Sequence, residues 1–263
     1  MGKRRLDTLL AERGLYESRS RAAAAVMAGE VAIGRDGRRA EKPGQLVPEE
    51  ADLVVDDRPR FVSRGGIKLA NALDATGIDP AGRRCLDVGA STGGFTDCLL
   101  QRGAAAVVAL DVAYGELHWR LRNDPRVTVV ERTNARSLEP DALPFRPELI
   151  AIDVSFISLA KILPAVLGSA AARLDCLAMV KPQFEVGRER VGSGGVVRDA
   201  ADRRDALVDV GERARALGAE VLGYASSGLP GPAGNRETFA WLAERGRQGA
   251  VEDLHAAART VEP

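Results

Sequence analysis

Residues 86–96 constrain this chain more than any other stretch. Leu86-Asp87-Val88 is a short, mostly apolar run that breaks into Gly89-Ala90-Ser91-Thr92-Gly93-Gly94 before Phe95-Thr96 opens a helical pattern. A strand, a glycine turn and a helix in that order belong to an α/β fold in which the backbone comes close to a ligand at a helix N-terminus. Gly89, Gly93 and Gly94 lack Cβ atoms, so the turn is free to take dihedrals closed to other residues. The spacing is not G-x-G-x-x-G, because Ser91 stands where the dinucleotide fingerprint has its second glycine; this speaks against a nicotinamide cofactor. Asp111, at the end of the next apolar run, is placed to accept the two hydroxyls of an adenosine ribose. Turn and acid together predict an adenosine-containing ligand. The competing reading is a turn that serves only packing, with Asp111 as a helix cap.

The rest of the chain supports that fold. Short apolar runs at 85–88, 107–111, 127–130, 149–153, 174–180, 221–225 and 238–242 alternate with segments such as 95–103 and 200–218 that suit helices. Seven strands with such crossovers predict a mostly parallel sheet covered by helices on both faces. The 185–198 stretch, rich in Gly, Arg and Glu, and the Gly/Pro stretch 226–235 are expected to be long functional loops. Ahead of the sheet lies a different module. Leu6, Leu9 and Leu10 mark a helix stopped at Gly14, and a second helix runs over 19–28 from a Ser18 cap to Gly29. Strands at 31–33 and 53–55 follow, separated by an Arg35-Asp36-Gly37-Arg38 turn and a Pro43-Gly44 break. Asp56-Asp57-Arg58-Pro59-Arg60 has the composition of a linker, which divides the chain into 1–56, a linker at 57–64, and 65–263.

Composition removes several function classes. With 263 residues, 37 Lys+Arg against 37 Asp+Glu, and 45% hydrophobic residues, the chain is neither a disordered tail nor a membrane channel. Three cysteines without CxxC spacing and only two histidines argue against a disulfide scaffold and against a metal site. The first thirty residues carry Lys3, Arg4 and Arg5 but no apolar signal-peptide core, and the 159–172 run is broken by Lys161 and Pro164. Neither secretion nor membrane spanning is expected, which leaves the cytoplasm.

Four more polar residues fall beyond strand ends, where a doubly wound sheet places its chemistry. Asp153 closes the 149–153 run and Lys181 follows 174–180. Lys68 lies in Arg64-Gly65-Gly66-Ile67-Lys68-Leu69, at the start of the helix before the first strand. Glu237 lies in Asn235-Arg236-Glu237-Thr238, at the start of the last. Singly each has an ordinary role as a solvated lysine, a cap or an exposed edge. Together they are two amines and two carboxylates able to converge.

These residues carry a resemblance. Asp87-Val88-Gly89-Ala90-Ser91-Thr92-Gly93-Gly94-Phe95-Thr96 resembles the cofactor motif of FtsJ-like S-adenosylmethionine-dependent methyltransferases. The whole chain resembles the TlyA (hemolysin A) family of ribosomal RNA 2′-O-methyltransferases. The similarity runs from an N-terminal module like the S4 RNA-binding domain through Ser63–Leu69, the Ile152-Asp153-Val154-Ser155-Phe156-Ile157-Ser158-Leu159 and Val180-Lys181-Pro182-Gln183-Phe184-Glu185 segments, to Asn235-Arg236-Glu237. It implies a Rossmann-like class I methyltransferase sheet behind a small α+β S4-like domain, with S-adenosylmethionine as cofactor. The cofactor contacts it implies are Asp87, Gly89, Ala90, Ser91, Gly93, Gly94, Phe95 and Asp111. It also implies a catalytic tetrad of Lys68, Asp153, Lys181 and Glu237, and methylation of cytidine 2′-hydroxyls in 16S ribosomal RNA, 23S ribosomal RNA or both, without a metal.

The chemistry explains these residue types. A ribose 2′-hydroxyl is a weak acid and a poor nucleophile, whereas a sulfonium methyl is already electrophilic. The protein must activate oxygen. An amine can take the proton or stabilise the developing alkoxide, a neighbouring cation favours its neutral form, and carboxylates orient it. Lys181 is expected to be central, oriented by Asp153 and Glu237, with Lys68 polarising the hydroxyl; the partition among the four stays open.

Residues 1–45 hold ten Lys/Arg against six Asp/Glu, so the N-terminal module is basic despite a net charge of zero. Arg4, Arg5, Arg19, Arg21, Arg38, Arg39 and Arg64 are the candidate RNA contacts, suited to a folded phosphate backbone in ribosomal RNA or ribosomal subunits because no aromatics are interleaved. Arg188, Arg190 and Arg198 either clamp RNA over the site or sit on a solvated loop. His118 and Trp119 are expected to pack near the cofactor or core. Two other function classes compete: a catalytically inactive RNA-binding or ribosome-assembly protein, against which the intact tetrad argues, and a membrane-lytic hemolysin, for which no segment offers an inserting helix.

Overall fold

Ser18 and Gly29 bracket a helix as expected, the serine Oγ accepting from Arg21 N at 3.2 Å and the glycine ending the helix in the left-handed region at φ 75°. The computed structural model describes residues 2–16, 18–34, 38–55 and 60–262. It divides into two compact units, Met1–Ile67 and Lys68–Pro263.

The first unit comprises β1 (Lys3–Arg5), α1 (Leu6–Glu12), α2 (Arg19–Ala28), β2 (Val31–Ile33), β3 (Arg38–Arg39), β4 (Leu46–Pro48) and β5 (Leu53–Val55). β1 pairs antiparallel with β4, and β2 lies between β3 and β5. Leu6, Leu9 and Leu10 of α1 pack with Ala22, Val26 and Val31 to form its core. β1, β3 and β4 were not foreseen. They are two or three residues long, and β1 and β3 consist of Lys and Arg, which carry no strand signature; cross-strand pairing alone makes them strands. The turn expected at Arg35–Gly37 and the linker's Asp56–Pro59 lie outside the described residues.

α3 (Arg64–Thr76) contains the division between the units. The second unit continues with β6 (Arg84–Val88), α4 (Gly94–Gln101), β7 (Ala106–Leu110), α5 (Trp119–Arg122), β8 (Val127–Val130), β9 (Leu149–Ile152), α6 (Leu163–Gly168), β10 (Asp175–Val180), α7 (Pro182–Glu185), α8 (Ala200–Ala216), β11 (Glu220–Ser226), β12 (Thr238–Ala243) and α9 (Leu254–Val261). Its seven strands take the order β11-β12-β10-β9-β6-β7-β8. Every neighbouring pair is parallel except those of β12, which runs antiparallel to β10 and β11. This matches the mostly parallel α/β sheet that the resemblance implies. β9 and β10 are buried along their whole length, which is why they read as apolar runs, broken only by Asp175 at the start of β10. The chain leaves β6 toward β7 and β8 but leaves β9 toward β10. The crevice beyond the carboxyl ends of β6 and β9 is therefore the switch point where ligands enter such sheets.

Candidate active site

The glycine turn meets that crevice. Gly89 N and Ala90 N both donate to Leu110 O, at 2.8 and 3.1 Å, and Asp153 N donates to Val88 O at 2.9 Å. Gly89 has φ 86°, and a Cβ there would sit 2.3 Å from the Asp153 carbonyl oxygen, so only glycine lets the two strand ends close up. The Asp111 carboxylate clasps the turn: Oδ2 accepts from Ser91 N at 2.7 Å and Oδ1 from Ala113 N at 2.8 Å. Ser91 Oγ in turn donates to Glu116 Oε2 at 3.0 Å.

A cleft of about 520 Å³ opens here, its walls including Gly89, Ser91, Asp111, Glu116, Asn134, Asp153 and Phe156. That volume lies in the small-ligand range of about 300–1,000 Å³. The close backbone approach at Gly89 and three carboxylates on the wall fit a ligand that pairs an adenosine with positive charge. Of the candidate cofactor contacts, Gly89, Ser91 and Asp111 border this cleft, while Asp87, Ala90, Gly93, Gly94 and Phe95 are buried.

Asp87 acts from behind the turn. Fully buried, its Oδ2 accepts from Thr96 N at 2.9 Å and Thr96 Oγ1 at 2.7 Å, which ties β6 to the first turn of α4. Burial pushes its carboxyl up to about 7; the Asp153 and Asp111 charges add to the rise, and the Thr96 hydrogen bonds oppose it. The folded protein thus holds this proton more tightly than the unfolded chain, and stability falls as pH rises from about 4 through about 7. Asp87→Asn is expected to lose this component, on the order of 2–4 kcal/mol, when urea melts at pH 5 and pH 8 are compared with wild type. Identical pH dependence in the two proteins would refute the assignment.

Lys68 on α3, Asp153 beyond β9, Lys181 beyond β10 and Glu237 ahead of β12 form two ion pairs. Lys68 Nζ donates to Glu237 Oε2, and both residues are buried. Lys181 Nζ stands 2.6 Å from Asp153 Oδ1, an approach angled outside hydrogen-bond geometry, and donates to Ser155 Oγ at 2.9 Å. Glu237 therefore orients Lys68, not Lys181 as expected from the sequence. Thr238 pairs with Val180 across β10 and β12, which brings Glu237 opposite Lys181, but its carboxylate turns to the buried Lys68 ammonium, which would otherwise lack a counter-charge. A second cavity of about 410 Å³ borders Lys181, Gln183, Phe184, Asn235 and Glu237 and shares Ser155 and Phe156 with the first. Phe156 is 92% exposed, holds φ 64°, and its ring lies 5.4 Å from that of Phe184.

Three contributors were given no role at the sequence level: Ser155, Phe156 and Asn235. The alternation of an extended segment was the available signal, since Ser155 and Asn235 each lie two positions from a tetrad carboxylate. Asn235 Oδ1 accepts from Val197 N at 2.9 Å and its Nδ2 donates to Gly195 O at 2.8 Å, so the 185–198 loop is pinned beside Glu237. In that loop Arg190 pairs with Asp202 and Asp205, and Arg198 Nη1 donates to Ser193 Oγ at 3.5 Å. His118 and Trp119 do not wall the cleft. His118 caps α5 through Nδ1, and Trp119 is 68% exposed, because the turn at Gly93 closes on Leu117 and Leu121 instead.

In the first unit the candidate arginines separate into classes. Arg5 and Arg19 both pair with buried Asp7, whose carboxyl the Arg5 guanidinium, joined by Arg19, holds down at about 2. Arg4 pairs with Glu12 and Glu49. Arg39 donates to Gly29 O at 2.7 Å, and Arg64 lies 3.6 Å from Met27 Sδ. Arg21 and Arg38 are exposed, and neither side chain has a partner among the described residues. Among the described residues no cluster of metal ligands occurs, and no helix is long and apolar enough to cross a membrane.

The sequence matches the FtsJ-like methyltransferase family over residues 61–244 and the S4 domain over residues 4–53. It is 53% identical over 240 residues to the 16S/23S rRNA (cytidine-2′-O)-methyltransferase TlyA of Mycobacterium tuberculosis, covering 90% of this chain and 89% of that one. It is 36% identical over 237 residues to hemolysin A of Brachyspira hyodysenteriae, covering 90% and 98%. A solved structure, "Putative hemolysin from Streptococcus thermophilus", superposes with a TM-score of 0.74 at 38% identity over 99% of this chain and 96% of that one. The fold, the glycine turn and these similarities make the chain a member of the FtsJ-like methyltransferases, in the TlyA family that carries an S4 domain ahead of the methyltransferase domain.

Proposed function

We propose that the protein methylates the 2′-hydroxyl of cytidine in ribosomal RNA, using S-adenosylmethionine, in the cytoplasm. The observation that carries this reading is the pair of lysine–carboxylate contacts, Lys68–Glu237 and Lys181–Asp153, the second of them at the seam between the two cavities. The larger cleft suits the cofactor, with Gly89, Ser91, Asp111 and Glu116 holding it, and the smaller suits the acceptor nucleotide. S-adenosylmethionine supplies a methyl group already activated by its positive sulfur. Activation of oxygen falls to the chain's own residues. Lys181 receives the hydroxyl proton, and Asp153 holds the amine and balances the charge it gains. Lys68, fixed by Glu237, adds positive potential near the developing oxyanion. No metal enters this scheme. The M. tuberculosis relative's name states the same reaction on 16S and 23S rRNA. Incubation of ribosomal subunits and of naked rRNA with protein and cofactor, followed by mapping of 2′-O-methyl sites, tests it. New methyl groups on cytidine riboses are expected; methylation only on bases, or none, would refute the reading.

Residues 1–56 we assign to RNA docking, 57–64 to a linker and 65–263 to methyl transfer. Arg21 and Arg38 are the arginines best suited to phosphate, because Arg4, Arg5 and Arg19 are partly neutralised by carboxylates. A double Arg21→Gln/Arg38→Gln variant is expected to fold normally and to bind rRNA more weakly. Its dependence of log affinity on log salt should be shallower by about 0.7–0.9 for each phosphate that the variant no longer neutralises. A slope equal to wild type across a salt series would place the phosphate contacts on other residues.

A further inference from the structure

We infer that Ser155 is a positioning residue for methyl transfer, fixing the direction in which Lys181 offers its amine to the acceptor hydroxyl. This rests on the functional reading above. Ser155 lies two residues beyond Asp153 in the segment that follows β9, is exposed, and borders both cavities. Its Oγ accepts from Lys181 Nζ at 2.9 Å, while Asp153 Oδ1 lies 2.6 Å from the same nitrogen.

A neutral lysine amine has two N–H bonds and one lone pair, set toward three corners of a tetrahedron whose fourth is Cε. Ser155 Oγ takes one N–H bond, and the Asp153 Oδ1 charge 2.6 Å away draws the second to its side without a directed hydrogen bond, which leaves the lone pair the remaining direction. In that arrangement the proton passes from the 2′-oxygen to Nζ, and its bonding pair stays on oxygen. Asp153 alone does not set this direction, because its approach to Nζ lies outside hydrogen-bond geometry and the amine turns freely about the Cε–Nζ bond at the end of a flexible stem. Serine supplies the directional contact. An exposed hydroxyl that contributes little to packing has no comparable structural reason to sit at the seam between donor and acceptor cavities.

The test compares full-length wild type, Ser155→Ala and Ser155→Thr with S-adenosylmethionine and rRNA. Ser155→Ala is expected to lower kcat by about 10–100-fold, the scale for misorienting a catalytic group, with KM for RNA, cofactor affinity by calorimetry and Tm unchanged. Ser155→Thr keeps the hydroxyl and is expected to recover most of the rate. A wild-type kcat in Ser155→Ala, a loss confined to KM, or a threonine variant as slow as alanine would overturn the role while leaving the functional reading intact. A wild-type protein that transfers no methyl to ribose would overturn that reading and the role with it.

Discussion

Lys181→Met is expected to cut single-turnover methyl transfer by at least about 10³-fold, within the range for removing a general base, while cofactor affinity stays within about twofold of wild type. Lys181 borders the smaller cavity and not the wall of the larger cleft, so on the proposed reading its loss removes proton transfer without removing a cofactor contact. The protein should still fold, because the partner left behind, Asp153, is partly exposed and can be solvated. Lys68→Met should behave differently. It strands Glu237, which is 3% exposed, as an uncompensated buried charge, and the expected cost is about 3–5 kcal/mol of stability in addition to lost activity. Rapid-quench transfer assays with calorimetry of cofactor binding, alongside denaturant melts, separate the two variants. Near-wild-type transfer by Lys181→Met would reduce the lysine to a structural partner of Asp153.

Gly89→Ala should lose cofactor binding by at least about 100-fold and destabilise the protein by about 2–4 kcal/mol, combining backbone strain with a steric clash. The added methyl would stand 2.3 Å from the Asp153 carbonyl oxygen, so relief requires β6 and β9 to part at the point where the cleft is formed. Gly77→Ala is the matched control. Gly77 has φ 72°, close to the 86° of Gly89, but no heavy atom lies within 4 Å of a Cβ built there. It should cost only the left-handed backbone penalty of about 1–2 kcal/mol and leave cofactor binding unchanged. Equal effects of the two substitutions on binding would show that φ, and not close approach, explains the glycine at 89.

Much of this arrangement is legible in the chain. The turn after β6 is visible because glycine signals backbone geometry directly. The strands are visible because burial on both faces leaves an apolar run over all of β9 and over β10 beyond Asp175. The tetrad positions are visible because polar residues at strand ends stand out against those runs. In the N-terminal unit the serine cap and glycine stop of α2 mark their helix locally, whereas β1 and β3, built of Lys and Arg, carry no such mark.

Partnership is a different matter. Lys68 and Glu237 are 169 residues apart; the register of β12 on β10 sets Glu237 opposite Lys181, and the packing of α3 supplies the buried Lys68 ammonium to which its carboxylate turns instead. The same limit hid the neutralisation of Arg5 and Arg19 by Asp7 and the pinning of the 185–198 loop by Asn235. The sequence alone marked the candidate residues and the strand ends at which they stand, because periodicity and glycine placement act over a few neighbouring residues. Only the tertiary structure decided which charge faces which and which hydroxyl stands at the seam of the two cavities. Buried ions take a counter-charge close in space, and closeness in space is set by the register of the strands and by the helix packed beside them.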